Sequence, residues 1–310
     1  MLHMKSLLWV IVALVAGMFC SRAWSDEKSD ATKRAIEKGK KIALEELFDL
    51  RYKFQPGESF RTKVVHLVTV ETKIQGVTET AKTRSISTKL WKIQDVDENG
   101  NITFAHSVEA VNMWQQTSGR AEISYNSQTD EDPPPEYEMV AKSIGKPLST
   151  ITIDARGGIV NRDKVQFNSG IGDLTVPLPK TAIKVGQEWF LPQDIVLRMP
   201  DKEVKTIKAR EKFTLVKVET GIATIAVKTE ILTPINDPKI QSQLVQRMQH
   251  GEIKFDIDAG RIRSKQMDLD ETVIGFSGQN SVMKYLARLT EEPGEAPKAT
   301  ARKAGPTQKK

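Results

Sequence analysis

Apolar and polar residues alternate with a period of two over much of this chain, and that pattern predicts strands. Glu58–Gln75 (ESFRTKVVHLVTVETKIQ) is rich in Val and Thr and reads as one long strand. Gly76 marks a hairpin and Lys82–Val96 returns, with Ile86 and Leu90 toward one face and Trp91 and Ile93 toward the other. Asp97-Glu98-Asn99-Gly100 makes the next turn, with Asn-Gly as its strongest local signal. In the strand that follows, Asn101–Gln115, the residues Ile102, Phe104, Val108 and Trp114 share one phase and are expected to face the core. A short strand is expected at Ala121–Tyr125, and Pro133–Pro135 stops it. The spacing then changes: Glu136–Ile144 suits a short helix with Met139, Val140 and Ile144 as its contacts. Leu148–Gln166 is a strand, a Gly turn and a second strand.

The same succession begins again after Val176-Pro177-Leu178-Pro179. Gly186-Gln187-Glu188-Trp189 answers Gly57-Glu58-Ser59-Phe60, and Phe213–Ala226 answers Trp91–Ala105 with Thr220-Gly221 as a shorter turn. Ile240–Gln249 is a second short helix. Phe255–Ile262 (FDIDAGRI) repeats the Ile-Asp-Ala and Gly of Thr150–Val160 (TITIDARGGIV) and makes Asp258 the counterpart of Asp154. Strands at Ser264–Ile274 and Asn280–Thr290 follow. The expectation is a mainly β (α+β) domain over 51–292. It holds a duplicated antiparallel unit, 57–166 and 186–274, and a closing strand at 280–290. Together they form one strongly curved sheet or partly closed barrel, which hides the edges of long Val/Thr strands. An N-terminal helix is expected within 26–50, where Ile36, Ala43, Leu44, Leu47 and Phe48 give a partial apolar face.

The first 25 residues stand apart from this pattern. Lys5 precedes an apolar run, Leu7–Phe19, and Ala23-Trp24-Ser25 fits a small-x-small cleavage site, as in a secretory signal peptide. The bulky Phe19 before Cys20 argues against a lipid anchor on that cysteine, whereas an uncleaved N-terminal anchor is the alternative to cleavage. Cys20 is the only cysteine, so a chain cleaved after Ser25 has neither disulfides nor thiolate chemistry. The net charge is +6. Lys5 and Arg22 supply two of those charges, and the tail from Pro293, basic and expected to be disordered, supplies four more. The body is therefore neutral, which does not suit a nucleic-acid-binding surface. The expected location is outside the cytoplasm, in the periplasm or cell envelope.

Candidate chemistry is sparse. Asp95-x-Asp97-x-Asn99-Gly100 opens like a calcium loop, but His106 stands where a closing bidentate carboxylate belongs, so a tight turn accounts for it. His66, His106 and His250 lack metal-ligand spacing, although His66 and His106 lie on separate strands that have the potential to meet. Asp154 and Asp258 would form an acid pair if the halves faced each other; the plainer reading is that each serves its own turn. Gly275-Phe276-Ser277-Gly278 is not a nucleophile elbow, because its second Gly comes one residue early. No metal or cofactor is expected. Phe60, Trp91, Trp114, Trp189 and Phe213 are either ordinary core or the lining of a ligand cavity.

Leu50–Glu58 (LRYKFQPGE), Val176–Pro179 (VPLP), Lys184–Trp189 (KVGQEW) and Phe255–Ile262 together resemble a family of exported, uncharacterised proteins from planctomycete bacteria, over nearly the whole chain after the leader. The resemblance implies export and a shared fold, and it assigns no catalytic residue. The leading functional expectation is a non-enzymatic envelope protein that binds a lipid or other small apolar ligand within the curved sheet. A structural or protein-interaction module of the envelope, with a protein partner, is the alternative. A hydrolase using Asp154 and Asp258 is a third reading.

Overall fold

The computed structural model describes Lys33 and residues 46–163, 175–198 and 204–297. The expected leader, most of the expected helix in 26–50, and the expected tail from Lys298 onward lie outside the described residues. The start of that tail is ordered: Pro293 ends a strand and the Gly294 N–H donates to Arg61 O at 2.9 Å. The described end of that helix is not helical: Phe48 forms an antiparallel bridge with Ile183, and the chain continues extended. The physical reason is burial with a period of two, since Leu50 and Tyr52 are buried while Arg51 and Lys53 are exposed.

Among the described residues twelve strands pair antiparallel in one sheet: β1 (Ser59–Ile74), β2 (Val77–Val96), β3 (Ile102–Thr117), β4 (Ile123–Asn126), β5 (Pro147–Ile153), β6 (Ile159–Arg162), β7 (Glu188–Arg198), β8 (Val204–Glu219), β9 (Ile222–Ile231), β10 (His250–Asp256), β11 (Arg261–Ile274) and β12 (Ser281–Pro293). Their order is β6-β5-β3-β2-β1-β12-β11-β10-β9-β8-β7, with β4 added to β3. Two short helices interrupt the strands, α1 (Glu138–Ser143) after a 3-10 turn at Pro135–Tyr137, and α2 (Pro238–Leu244) before one at Val245–Arg247. Both are shorter than the sequence pattern suggests. The first wing, β1 to β6, and the second, β7 to β11, run through their strands in the same pairing order, each with its helix between the third and fourth strands of the path. The strand β12 joins β1 to β11. The pairing path is open, because β6 and β7 end it without pairing to each other. The expected strongly curved sheet or partly closed barrel is thus corrected: the sheet is neither closed nor strongly curled, and its edges are limited by a four-residue β6 and by Pro192 within β7.

Two hairpins turn on residues with positive φ at both central positions, Gln75-Gly76 and Thr220-Gly221, the twist-matched geometry of a two-residue loop. A third local feature redirects side chains. Between β2 and β3 the register slips, so that Thr88 and Lys89 face Ala110 and Val108 and leave Glu109 as an extra residue. One extra residue reverses the phase of everything beyond it. Trp114 therefore does not share the inward phase of Phe104 and Val108, and it borders a shallow groove with Leu67, Thr69 and Arg84 instead.

The main core lies on one face at one end of the sheet. There Trp91, Ile93, Ile102, Phe104, Ile151 and Ile153 come from the first wing, and Phe213, Leu215, Ile225, Ile253 and Phe255 from the second. Smaller clusters sit under the helices: Val108, Val111 and Leu148 with α1, and Ile195, Leu197, Ile207 and Ala209 with α2.

Candidate functional site

The extended segment 48–54 crosses the main core as a strap. Leu50 and Tyr52 point into the core, where full burial of such side chains stabilises by about 2 kcal/mol each. The backbone N–H of Tyr52 donates to Ala155 O at 2.8 Å, and that of Lys53 to Gly260 O at 3.0 Å. The strap thus joins the β5–β6 turn of one wing to the β10–β11 turn of the other. The buried Tyr52 hydroxyl donates to Val176 O at 3.1 Å and accepts from Val176 N–H at 3.0 Å, and burial pushes its phenol pKa up. A side chain at Gly260 would meet Lys53, and one at Gly157 would meet Val176 and Tyr52, so both turns need glycine for this close approach.

From the strap a row of rings runs up the first wing. Tyr52 and Phe54 lie 6.2 Å apart, Phe54 and Phe60 5.4 Å, Phe60 and Trp91 5.9 Å, and Trp91 and His106 5.3 Å, all near parallel. Phe60 and Trp91 are direct cross-strand partners, as are Trp91 and His106, so neighbouring strands set the stacking. The Trp91 indole N–H donates to Thr62 Oγ1 at 3.1 Å. Beside this row is a cavity of about 190 Å³, lined by Phe54, Phe60, Trp91, Ile93, Phe104 and Ile153. Charged residues surround it: Arg61, Arg261, Arg263, Glu291 and Glu292. Arg61 is held by Glu109 in a two-pronged pair at 2.8 and 3.0 Å, and Arg261 pairs with Glu58 at 2.7 Å with its guanidinium 5.3 Å from the Phe54 ring centre.

Of the five aromatic residues singled out in the sequence, the structure brings Phe60 and Trp91 together at this cavity. Trp189 and Phe213 stack on each other at 5.4 Å in the second wing, where the Trp189 indole N–H donates to Pro177 O at 2.7 Å. Neither borders the cavity, and Trp114 is elsewhere on β3. Tyr52 and Phe54 were missed by strand-based reasoning. The signal available for them was the alternation Leu50, Tyr52, Phe54 just ahead of Pro56-Gly57.

Asp154 follows the plainer of the two readings and serves its own turn. By register Ile153 faces Ile102, and Phe255 faces Ala223 at the matching place in the second wing, so Asp256 rather than Asp258 follows the last inward residue. Asp154 Oδ1 accepts from the N–H groups of Arg156 at 2.7 Å and Gly158 at 2.9 Å, and Asp256 Oδ1 from Ala259 N–H at 2.8 Å. Both carboxylates serve their own turns. Asp97 does the same for Asn99 and Asn101, and the Asn101 side-chain and backbone bonds hold its carboxyl below the usual range. His66 faces Ser85 on β2 and Leu289 on β12, so a full strand separates it from His106. No cluster of three potential metal ligands occurs among the described residues.

His106 is the unusual member of the site. It is only 4 % exposed, its Nδ1 lies 3.1 Å from Ser149 Oγ, and its Nε2 is the one buried side-chain polar atom without a partner among the described residues. Burial, followed by the positive charges of Lys89 and Arg162, brings its pKa down to about 4, so the ring is neutral at pH 7. A neutral, buried imidazole beside a serine lacks the third group that would orient it as a base, and neither residue borders the cavity.

The segments Leu50–Glu58, Val176–Pro179, Lys184–Trp189 and Phe255–Ile262 meet here, contributing Leu50, Tyr52, Phe54, Val176, Leu178, Trp189, Phe255 and Ile262 to the same core. No family model matches the chain, and no curated protein matches it. Among solved structures the chain is similar to lipovitellin in a structure of its lipid–protein interactions, with a TM-score of 0.41 and 12% identity over 82% of this chain. The chain spans 27% of the length of that lipovitellin chain.

Proposed function

We propose that this protein is an exported, non-enzymatic binding protein that shelters a small apolar ligand, or the apolar end of a larger one, in the cavity beside Phe60 and Trp91. The observation that carries this reading is the cavity itself: an aromatic wall with a charged rim, the composition of a ligand site rather than of a packing defect. In this reading the strap ties a turn of each wing together beside the cavity. The volume narrows the occupant. Sites for drug-sized ligands begin at roughly 300 Å³, whereas a cavity of about 150 Å³ accepts one benzene ring. The cavity at about 190 Å³ suits a single ring or a short alkyl chain, not a whole diacyl lipid.

Titration with the neutral fluorophore N-phenyl-1-naphthylamine tests this. Wild-type protein is expected to bind it and to release it on addition of octanol. The pocket-filling variant Ile262→Trp is expected to keep its far-ultraviolet circular dichroism and lose the probe. Equal binding by a folded Ile262→Trp variant, or no binding by wild type, contradicts the proposal.

A further inference from the structure

Strand β1 starts at the cavity, where Phe60, Arg61 and Thr62 line it, and ends at two neighbouring apolar tips. The β1–β2 and β11–β12 turns lie side by side there, because Ile74 pairs with Val77 on one strand and with Ser281 on the other. Ile274 at 73 % and Val77 at 66 % are the most exposed large apolar residues among those described, and Ile74 is 40 % exposed. The turns hold these side chains out on ordered backbone. The shorter is the two-residue Gln75-Gly76 turn. In the longer, the Gly275 N–H donates to Ser281 O at 2.7 Å, and the buried Ser281 hydroxyl donates to Gly278 O at 2.7 Å and accepts from Ser277 N–H at 2.9 Å.

Two features say what covers these tips. Cross-strand partners share a face and successive residues alternate. Ile74 and Val77 therefore lie on one face, whereas Ile274, whose row runs through Val282 to Lys73, lies on the other. The tips are also nearly free of charge: Thr72–Thr78 (TKIQGVT) holds only Lys73, and Val273–Met283 (VIGFSGQNSVM) holds none. Charges resume just behind, where Glu71 pairs with Lys284, Glu79 with Thr72 and Glu271 with Tyr285. A protein partner seated on a sheet covers one face. Apolar side chains on both faces of a narrow end, backed by a collar of charges, suit entry end-on into a medium that is apolar on every side. We infer that the two tips dip into a lipid surface, with Ile74, Val77 and Ile274 immersed and the Glu71–Lys284 pair left at the water. Three carboxylates against Lys73 and Lys284 give the collar no surplus of cations, so the surface it fits is a neutral, zwitterionic one rather than an anionic one. This contact is separate from the cavity, which is at the opposite end of β1.

The apolar run Leu7–Phe19 could itself hold the full chain on a bilayer, so the test reads the tips locally. A nitrobenzoxadiazole label is attached to the full chain in a Cys20→Ser background, either at Gln279→Cys in the β11–β12 turn or at Glu98→Cys in the turn at the other end of β2. With phosphatidylcholine vesicles the label at 279 is expected to brighten and shift to the blue, and the label at 98 to stay unchanged. Val77→Asp with Ile274→Asp, both at exposed positions, is expected to keep the far-ultraviolet circular dichroism and to weaken the response at 279 by about tenfold or more. No response at 279, equal responses at both labels, or an undiminished response in the folded double variant overturns the inference. A response at 279 that grows with protein concentration in the absence of vesicles also overturns it, and makes a second copy of the chain the partner of the tips.

Discussion

The two wings place a stacked aromatic pair at the same point of the same strand path, yet use it differently. Phe60 faces Trp91 and Trp189 faces Phe213, and each pair follows a turn whose glycine N–H bonds to the opposite strand, Gly57 to Ile93 O and Gly186 to Leu215 O. In the second wing the Val176–Pro179 segment covers the pair and accepts the Trp189 indole proton, giving a filled core. In the first wing the indole proton of Trp91 goes back to Thr62 on the sheet, and a cavity stays open beside the rings. The neighbours differ in kind. Where the first wing has Thr62, His106 and Ser149, the register of the second places Leu191, Val227 and Gly251. One strand path accommodates both; the first wing has polar side chains at inward positions where the second has apolar ones or glycine, each with a cost that packing alone does not require.

The sharpest way to break this comparison is to exchange those residues. Gly251→Ser would give the second wing the serine of the first. A Cβ at Gly251 would run into the Gln266 backbone carbonyl, which the β10–β11 ladder holds in place. The expected cost is on the order of 4 kcal/mol or more, read from denaturant unfolding. A loss below about 1 kcal/mol would mean that the second wing has room for a side chain where the first holds Ser149.

A smaller effect is expected from His106→Val, which gives the first wing the valine of the second. The folded-state pKa of about 4 lies below the ordinary value of 6.5, so the unfolded chain binds the proton first as pH falls. The contribution of a neutral His106 is therefore fully present above pH 6.5 and declines as pH drops toward 4, by up to about 3 kcal/mol. The stability difference between His106→Val and wild type should be constant above about pH 6.5 and shift in the variant's favour, by up to about 3 kcal/mol, as pH falls to 4. Parallel curves from pH 7 to pH 4 would show that the imidazole is not held neutral.

Much of the fold was legible because its physics is local. Alternation and glycine turns located the strands of the antiparallel sheet. Legibility failed where one residue or a distant partner decided the outcome. The extra Glu109 reverses the phase of β3, so a period-two reading extended too far sent Trp114 into the core. Phe48 has apolar neighbours at helical spacing, but its bridge to Ile183, more than a hundred residues away, makes it extended. At the site, Phe60 and Trp91 were visible as strand aromatics. Nothing in the sequence distinguished them from Trp189 and Phe213, because the difference is the segment that covers the second pair. His106 stood out only as a strand histidine without metal-ligand spacing, since burial of its imidazole is a tertiary property.

The central claim, that the first wing holds a binding site and the second a closed core, is tested most directly by the indole N–H resonances of Trp91 and Trp189 in ¹⁵N-labelled protein, assigned through single Trp→Phe variants, during titration with octanol. Binding at the cavity predicts a saturable shift of the Trp91 resonance with Trp189 unmoved; a shift at Trp189 alone, or equal shifts at both, would contradict it.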